Sequence, residues 1–126
     1  MEFRQSQAIY QQIADYICEE VLTGRWQEGD RIPSVRELAE TAEVNPNTVM
    51  RAFGYLQDMG VIHNQRGIGY FVADGAFEKT RELKRGQFLR RELPVLVKTM
   101  DLLDISFEEL KTLYGKMKTG TLEDRS

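Results

Sequence analysis

The chain has 126 residues, 41% of them hydrophobic and 29% charged, which suits one principal domain with at most a small appendage. A net charge of −3 argues, by itself, against a nucleic-acid partner, and a single cysteine, Cys18, excludes an internal disulfide and suits a reducing compartment. No apolar run approaches bilayer-spanning length, and the N-terminal MEFRQSQAIYQQ has neither a basic start nor an apolar signal core, so a cytoplasmic protein without a membrane partner is expected.

The first periodic segment runs from about Ser6 to Thr23. Ile9, Ile13, Tyr16, Ile17 and Val21 recur at helical spacing, Gln11, Gln12, Asp15 and Glu19 lie off that stripe, and Gly24 ends it. Cys18 reads as a helix residue at or near the core. GRWQEGDRIP is a connection anchored by Trp26 and Ile32 and closed by Pro33. SVRE then reads as a capping box: the Ser34 hydroxyl accepts from the Glu37 N–H while Glu37 reaches back to the Ser34 N–H. Val35, Leu38, Ala39 and Ala42 form the buried face of the short helix that follows.

TAEV is a tight connection. Asn45 is the N-cap of the third helix and Pro46 its first residue, where a missing N–H costs nothing and a fixed φ suits the turn. That helix extends to about Met59, with Gly60 as its stop. Val49, Ala52, Phe53, Leu56 and Met59 make its apolar stripe; Asn47, Thr48 and Arg51 lie on the opposite face, which Gly54 continues. Val61–Gln65 and Tyr70–Val72 are strand-like runs around RGIG, a hairpin signal. Three helices followed by a hairpin make a winged helix-turn-helix over residues 1–73.

Residues 75–118 read as helix throughout, with a kink or break expected at Leu93–Pro94. Ser106 and Glu109 form a second capping box before the apolar face of Phe107, Leu110, Leu113, Tyr114 and Met117. Residues 119–126 are polar and expected to fray. The expected fold class is therefore mostly α with a small β-hairpin: an N-terminal winged helix-turn-helix (1–73) plus a short C-terminal helical tail (74–126). Phe88, Leu89, Leu96, Met100, Phe107 and Leu110 exceed what the tail's own helices can bury, which points to a second subunit and a homodimer.

In a helix-turn-helix the chemistry is the reading of base edges by the first turn of the second helix of the motif. Asn pairs with adenine, Arg with guanine, and a Thr methyl touches a thymine methyl, so Asn45, Asn47, Thr48 and Arg51 are the candidate readers, with Asn45 also engaged as a cap. Ser34 and Arg36 stand at a helix N-terminus suited to phosphate, the plain alternative for Arg36 being an ion pair with Glu40. Arg66 and Gly67 form the wing tip, where an Arg can enter the minor groove. Ile68 is an apolar residue on the same turn. His63 is the only histidine and has no acid–nucleophile constellation around it; no Cys/His cluster offers a metal site. Neither an enzyme nor a cofactor is expected. Residues 1–73 carry 6 Arg and no Lys against 10 acidic residues, so few cations are available to a DNA contact. That balance also supports the alternative of a winged-helix protein–protein interaction module without DNA binding.

The stretch from Ile9 to Val72, with GDRIPSVRELA, NPNTVMRAF, L..MGVI and RGIGYFV as its specific pieces, resembles the DNA-binding domain of the GntR family of bacterial transcription regulators. The short helical C-terminal part and NPNTV resemble the YtrA-like subgroup, whose tail serves dimerisation. The resemblance implies a homodimeric regulator, a repressor by preference, on double-stranded DNA with a pseudo-palindromic operator, and leaves room for a small-molecule effector. The chain departs from the family pattern at Pro46 and Met50, where many members have basic residues, and at Ile68 and Tyr70, where the wing commonly has Lys and Thr. Arg36, Arg51 and Arg66 remain as the main cationic candidates.

Overall fold

The computed structural model describes residues 7–120. Helix α1 spans Ile9–Leu22, α2 Val35–Ala42 and α3 Pro46–Asp58; strands β1 (Ile62–Gln65) and β2 (Gly69–Val72) form the hairpin; α4 (Ala76–Gln87), α5 (Leu93–Leu103) and α6 (Phe107–Thr119) follow. The winged helix-turn-helix expected from the sequence is present in that order. The start expected at Ser6 lies outside the described residues; the helix itself begins at Ile9.

The chain divides into two compact units, residues 1–84 and 85–126. In the first, Ile13, Ile17, Val49, Phe53, Leu56 and Val61 are almost fully buried and join α1, α3 and the base of the hairpin. Tyr70 closes the core from β2, its ring edge-to-face on Phe53 with centroids 4.7 Å apart. Ile9, placed on the apolar stripe by its spacing, is instead 43% exposed. Gln12 and Glu20, read as solvent-facing or unassigned, are buried, because each has a polar partner: Gln12 donates to the Gln7 carbonyl, and Glu20 pairs with Arg25 at 2.9 Å.

The hairpin pairs antiparallel in the register Ile62↔Val72 to Gln65↔Gly69. Its turn holds Gly67 at φ +80°, a left-handed conformation open to glycine at no steric cost. The connection before α2 is more than a loop. The Ile32 N–H donates to the Tyr70 carbonyl and the Val72 N–H to the Asp30 carbonyl, both at 2.9 Å, so Asp30–Ile32 lies along β2 through a single antiparallel bridge, Arg31 opposite Phe71. That pairing fixes where Pro33, Ser34 and α2 begin.

The first half of α4 belongs to the same unit. Ala76 and Thr80 are fully buried, Glu28 accepts from the Gly75 N–H at the helix N-terminus, and Lys84 is ion-paired with Asp15 of α1. The compact unit therefore runs eleven residues past the end of the wing domain expected at Ala73.

In the second unit the expected break at Pro94 takes another form. A π-helical turn, Phe88–Glu92, precedes α5, and the Leu93 N–H bonds the Phe88 carbonyl five residues back. Proline has no N–H for the ladder, and its ring crowds the carbonyl four residues earlier; the wider turn relieves both without stopping the helix. Ser106 caps α6 by accepting from the Glu109 N–H at 3.1 Å; only this half of the expected box is made. Thr119 ends α6 and Gly120 caps it with φ +76°, so the fraying expected from 119 does not extend to these two residues; 121–126 lie outside the described ones. None of residues 85–120 is buried.

Candidate nucleic-acid interface

Two capped helix N-termini build the candidate surface. At α2 the box is complete: the Ser34 hydroxyl accepts from the Glu37 N–H and the Ser34 N–H donates to a Glu37 carboxylate oxygen, each at 3.1 Å. The two Ser34 hydrogen bonds, backbone first, hold the Glu37 carboxyl below the usual carboxylate range, with nearby Arg31 adding to the effect. Ser34 is thus already engaged. Arg36, one residue into the helix, is exposed and makes no ion pair with Glu40 within 4.0 Å. It lines, with Glu40, Glu43 and Pro46, an open cleft of about 540 Å³ between α2 and α3.

The turn between these helices is tight because Glu43 takes a left-handed conformation (φ 56°, ψ 49°), which lets the Val44 N–H bond back to the Ala39 carbonyl at 3.0 Å. The chain emerges with Asn45 extended, ready to cap α3. Its Oδ1 accepts from the Asn47 N–H at 2.8 Å, and Pro46 occupies the first helical position. That oxygen is therefore partly engaged in the cap.

On α3 itself Asn47 and Arg51 are exposed and Thr48 is half-buried beside the buried Val49. Spacing alone did not show how Arg51 is held. Its guanidinium lies over the ring of Tyr10 on α1, Cζ 4.0 Å from the centroid. Met50, 52% exposed, shares the face of Asn47 and Gly54. At the wing, Arg66 and Gly67 are exposed, with Ile68 at 57%. Arg31, absent from the sequence candidates, packs its guanidinium on Gly69: a Cβ there would stand 3.0 Å from Arg31 Nε, so glycine makes room for it. The signal for Arg31 lay in the pairing of its segment with β2, which no local pattern announces.

Before Ala73 the salt bridge made among the described residues is Arg25–Glu20, which leaves Arg31, Arg36, Arg51 and Arg66 without a carboxylate within 4.0 Å. The structure thus holds four unpaired guanidinium groups at the α2 entrance, α3 and the wing. Elsewhere His63 is an exposed residue stacked on Phe71, and among the described residues no group of His, Cys, Asp and Glu side chains is arranged to hold a metal ion.

Comparison with known proteins places these features together. The sequence model of the family described as bacterial regulatory proteins, gntR family, matches residues 9–72. The chain is 33% identical over 125 residues to the HTH-type transcriptional repressor YtrA of Bacillus subtilis, covering 96% of this chain and 95% of that one. The crystal structure of a GntR-family transcriptional regulator of Bacteroides thetaiotaomicron superposes with a TM-score of 0.72 at 44% identity, over 91% of this chain and all of the other. The DNA-binding domain of AraR, solved in complex with operator ORR3, superposes with a TM-score of 0.53 at 29% identity, over 58% of this chain and 86% of that one.

Proposed function

Since the chain belongs to the gntR family of bacterial regulatory proteins and is a DNA-binding transcription regulator, we propose that it works as a homodimeric repressor on a pseudo-palindromic operator, in the cytoplasm where the chromosome lies. Repression is supported by the similarity to YtrA, named as a repressor. The two-fold assembly rests on one observation: residues 85–120 fold into helices without burying a single residue. Leu102 is 75% exposed, Phe107 71% and Leu103 65%. Helices of this length are marginal alone in water, so a surface outside the unit must cover them. A second copy supplies it with the same patch. Phe88, Leu89 and Leu96 are exposed as expected for such a surface, while Met100 and Leu110 are half-buried already.

Each half-site is read by α3 in the major groove. Asn47, Thr48 and Arg51 face base edges; Asn45 contributes chiefly as the cap that orients them. Arg36 and the Ser34 end of α2 meet phosphate, Arg66 and Gly67 approach the minor groove, and Arg31 steadies the wing beside the backbone. The DNA-reading part ends with the wing at Ala73, residues 74–84 pack back on that unit, and the tail from Arg85 onward assembles the dimer. A small-molecule effector, where one acts, binds between subunits, because the tail of one chain encloses no core of its own.

Sedimentation of the full chain together with titration on DNA from its own upstream region tests this reading. A dimer at micromolar concentration that protects two half-sites about 34 Å apart is expected. A monomer, or protection of one half-site only, removes the dimer assignment. Arg36→Ala should shallow the salt dependence by about one unit per half-site; an unchanged slope removes Arg36 from the phosphate contacts.

A further inference from the structure

We propose that Tyr10 is a positioning residue for DNA recognition: its ring is the platform that holds the Arg51 guanidinium ready for the operator. The inference rests on the reading of Arg51 as a DNA contact. Tyr10 stands one residue into α1, outside the helix-turn-helix proper, and no local pattern connects it with a residue 41 positions later. Three observations do.

First, Arg51 Cζ lies over the Tyr10 ring, 4.0 Å from its centroid. Second, Tyr10 is half-buried and packs against the hydrophobic core, so the platform is held by the fold. Third, Arg51 is exposed and has no carboxylate within 4.0 Å. An arginine restrained by an ion pair would have its donors occupied. An arginine stacked on a ring keeps its in-plane N–H groups free for the two parallel bonds that guanine or phosphate accepts. Stacking therefore removes side-chain freedom without consuming donors, which is what pre-organisation for a bidentate contact needs.

Fixing one rotamer-rich side chain before binding is worth about 3- to 10-fold in affinity. The experiment measures operator affinity of the full chain for the wild type, Tyr10→Phe, Tyr10→Leu, Arg51→Ala and the double variant Tyr10→Leu/Arg51→Ala. Thermal melts establish that each variant is folded. Arg51→Ala should lose about 5- to 150-fold per half-site, and the square of that for a dimer on both. Tyr10→Leu should lose about 3- to 10-fold per half-site, Tyr10→Phe less than about 2-fold per half-site because the ring remains, and the double variant should bind like Arg51→Ala alone.

A full-strength Tyr10→Leu, with Arg51→Ala weakened, overturns the positioning role while leaving Arg51 as a contact. A Tyr10→Leu loss that persists undiminished in the Arg51→Ala background overturns it too, since Tyr10 then acts on DNA directly or on the fold. An unaffected Arg51→Ala overturns the contact reading itself, and the stack becomes a clasp between α1 and α3.

Discussion

Removing everything after Ala73 takes away more than a tail. The truncation deletes Ala76 and Thr80, both fully buried, together with the bond from the Gly75 N–H to Glu28 and the Lys84–Asp15 ion pair. The Ala76 methyl accounts for about 0.8 kcal/mol. The exposed bond to Glu28 adds about 1 kcal/mol and the half-exposed ion pair at most about 1 kcal/mol. If the first half of α4 shields on the order of 100 Å² of apolar surface on its neighbours, uncovering it costs about 2.5 kcal/mol more. The loss is then about 3–5 kcal/mol, against a total of about 4–13 kcal/mol for a unit of this size. A chain cut after Lys84 keeps all of these contacts. Thermal melts by circular dichroism should therefore place the 1–73 fragment at least ~12 °C below the 1–84 fragment, or find it unfolded. Melting points within ~5 °C of each other would refute the reasoning and show that α4 only rests on a domain complete without it.

Asn45→Ala should destabilise the protein by about 1 kcal/mol, since it deletes the α3 cap, and Asn45→Ser should restore most of that; a Ser variant that regains stability but not operator affinity would show a base contact by Asn45 as well. The Thr80 hydroxyl is buried without a hydrogen-bond partner, so Thr80→Val should raise stability by about 1 kcal/mol in a urea titration; a loss instead would reveal a partner for that hydroxyl. Burial pushes the Cys18 thiol up to about 11, with Lys84 lowering it and Asp15 raising it to lesser degrees. The native state thus keeps its proton where the unfolded chain loses it, and stability falls as pH rises from about 8.5 towards 11, by up to about 3 kcal/mol relative to Cys18→Ala; parallel pH profiles for the two proteins would contradict this. For the proposed dimer, four arginines per half-site without a carboxylate partner predict a log–log salt slope of operator binding of about −5 to −7, and a slope beyond about −9 would mean that cations of the tail also touch DNA.

Much of this architecture was legible because it is written in short-range chemistry. Both capping serines, the Asn45–Pro46 start and the glycine at the wing turn each declare themselves within four residues, and all four form, Ser106 with only the accepting half of its expected box. What stayed hidden is non-local. The Arg31 segment pairs with Phe71, Lys84 reaches Asp15 across 69 positions, and Arg51 finds Tyr10 on another helix. Helical spacing could place Arg51 on the exposed face but not say what its guanidinium rests on. Glu20 was illegible for a related reason: a buried carboxylate is tolerable only with its partner, and Arg25 lies across a helix end. Pro94 was read correctly as a disturbance but not as a π turn, because the rule that proline interrupts the ladder does not say how the neighbouring carbonyls adjust.

The acidic balance that argued against DNA has a consistent place in this geometry. Counterion release makes non-specific affinity grow with the number of cations that meet phosphate, whatever the sequence. A domain with ten acidic residues and six arginines cannot bind that way with much strength. Its few guanidinium groups stand on ordered backbone: a complete capping box starts the helix of Arg36, a capped helix start precedes Arg51, whose guanidinium rests on an aromatic ring, and a glycine admits Arg31 against the wing. If these cations are the DNA contacts, few of them would give weak binding to random DNA and a usable contact at the right site. In the proposed dimer, doubling the set would multiply the specific term far more than the background, since a second half-site would be engaged at high effective concentration only where both halves fit. On the proposed reading, low charge, presentation on capped helices and a coreless tail would serve one end, in which the specificity ratio matters more than raw affinity.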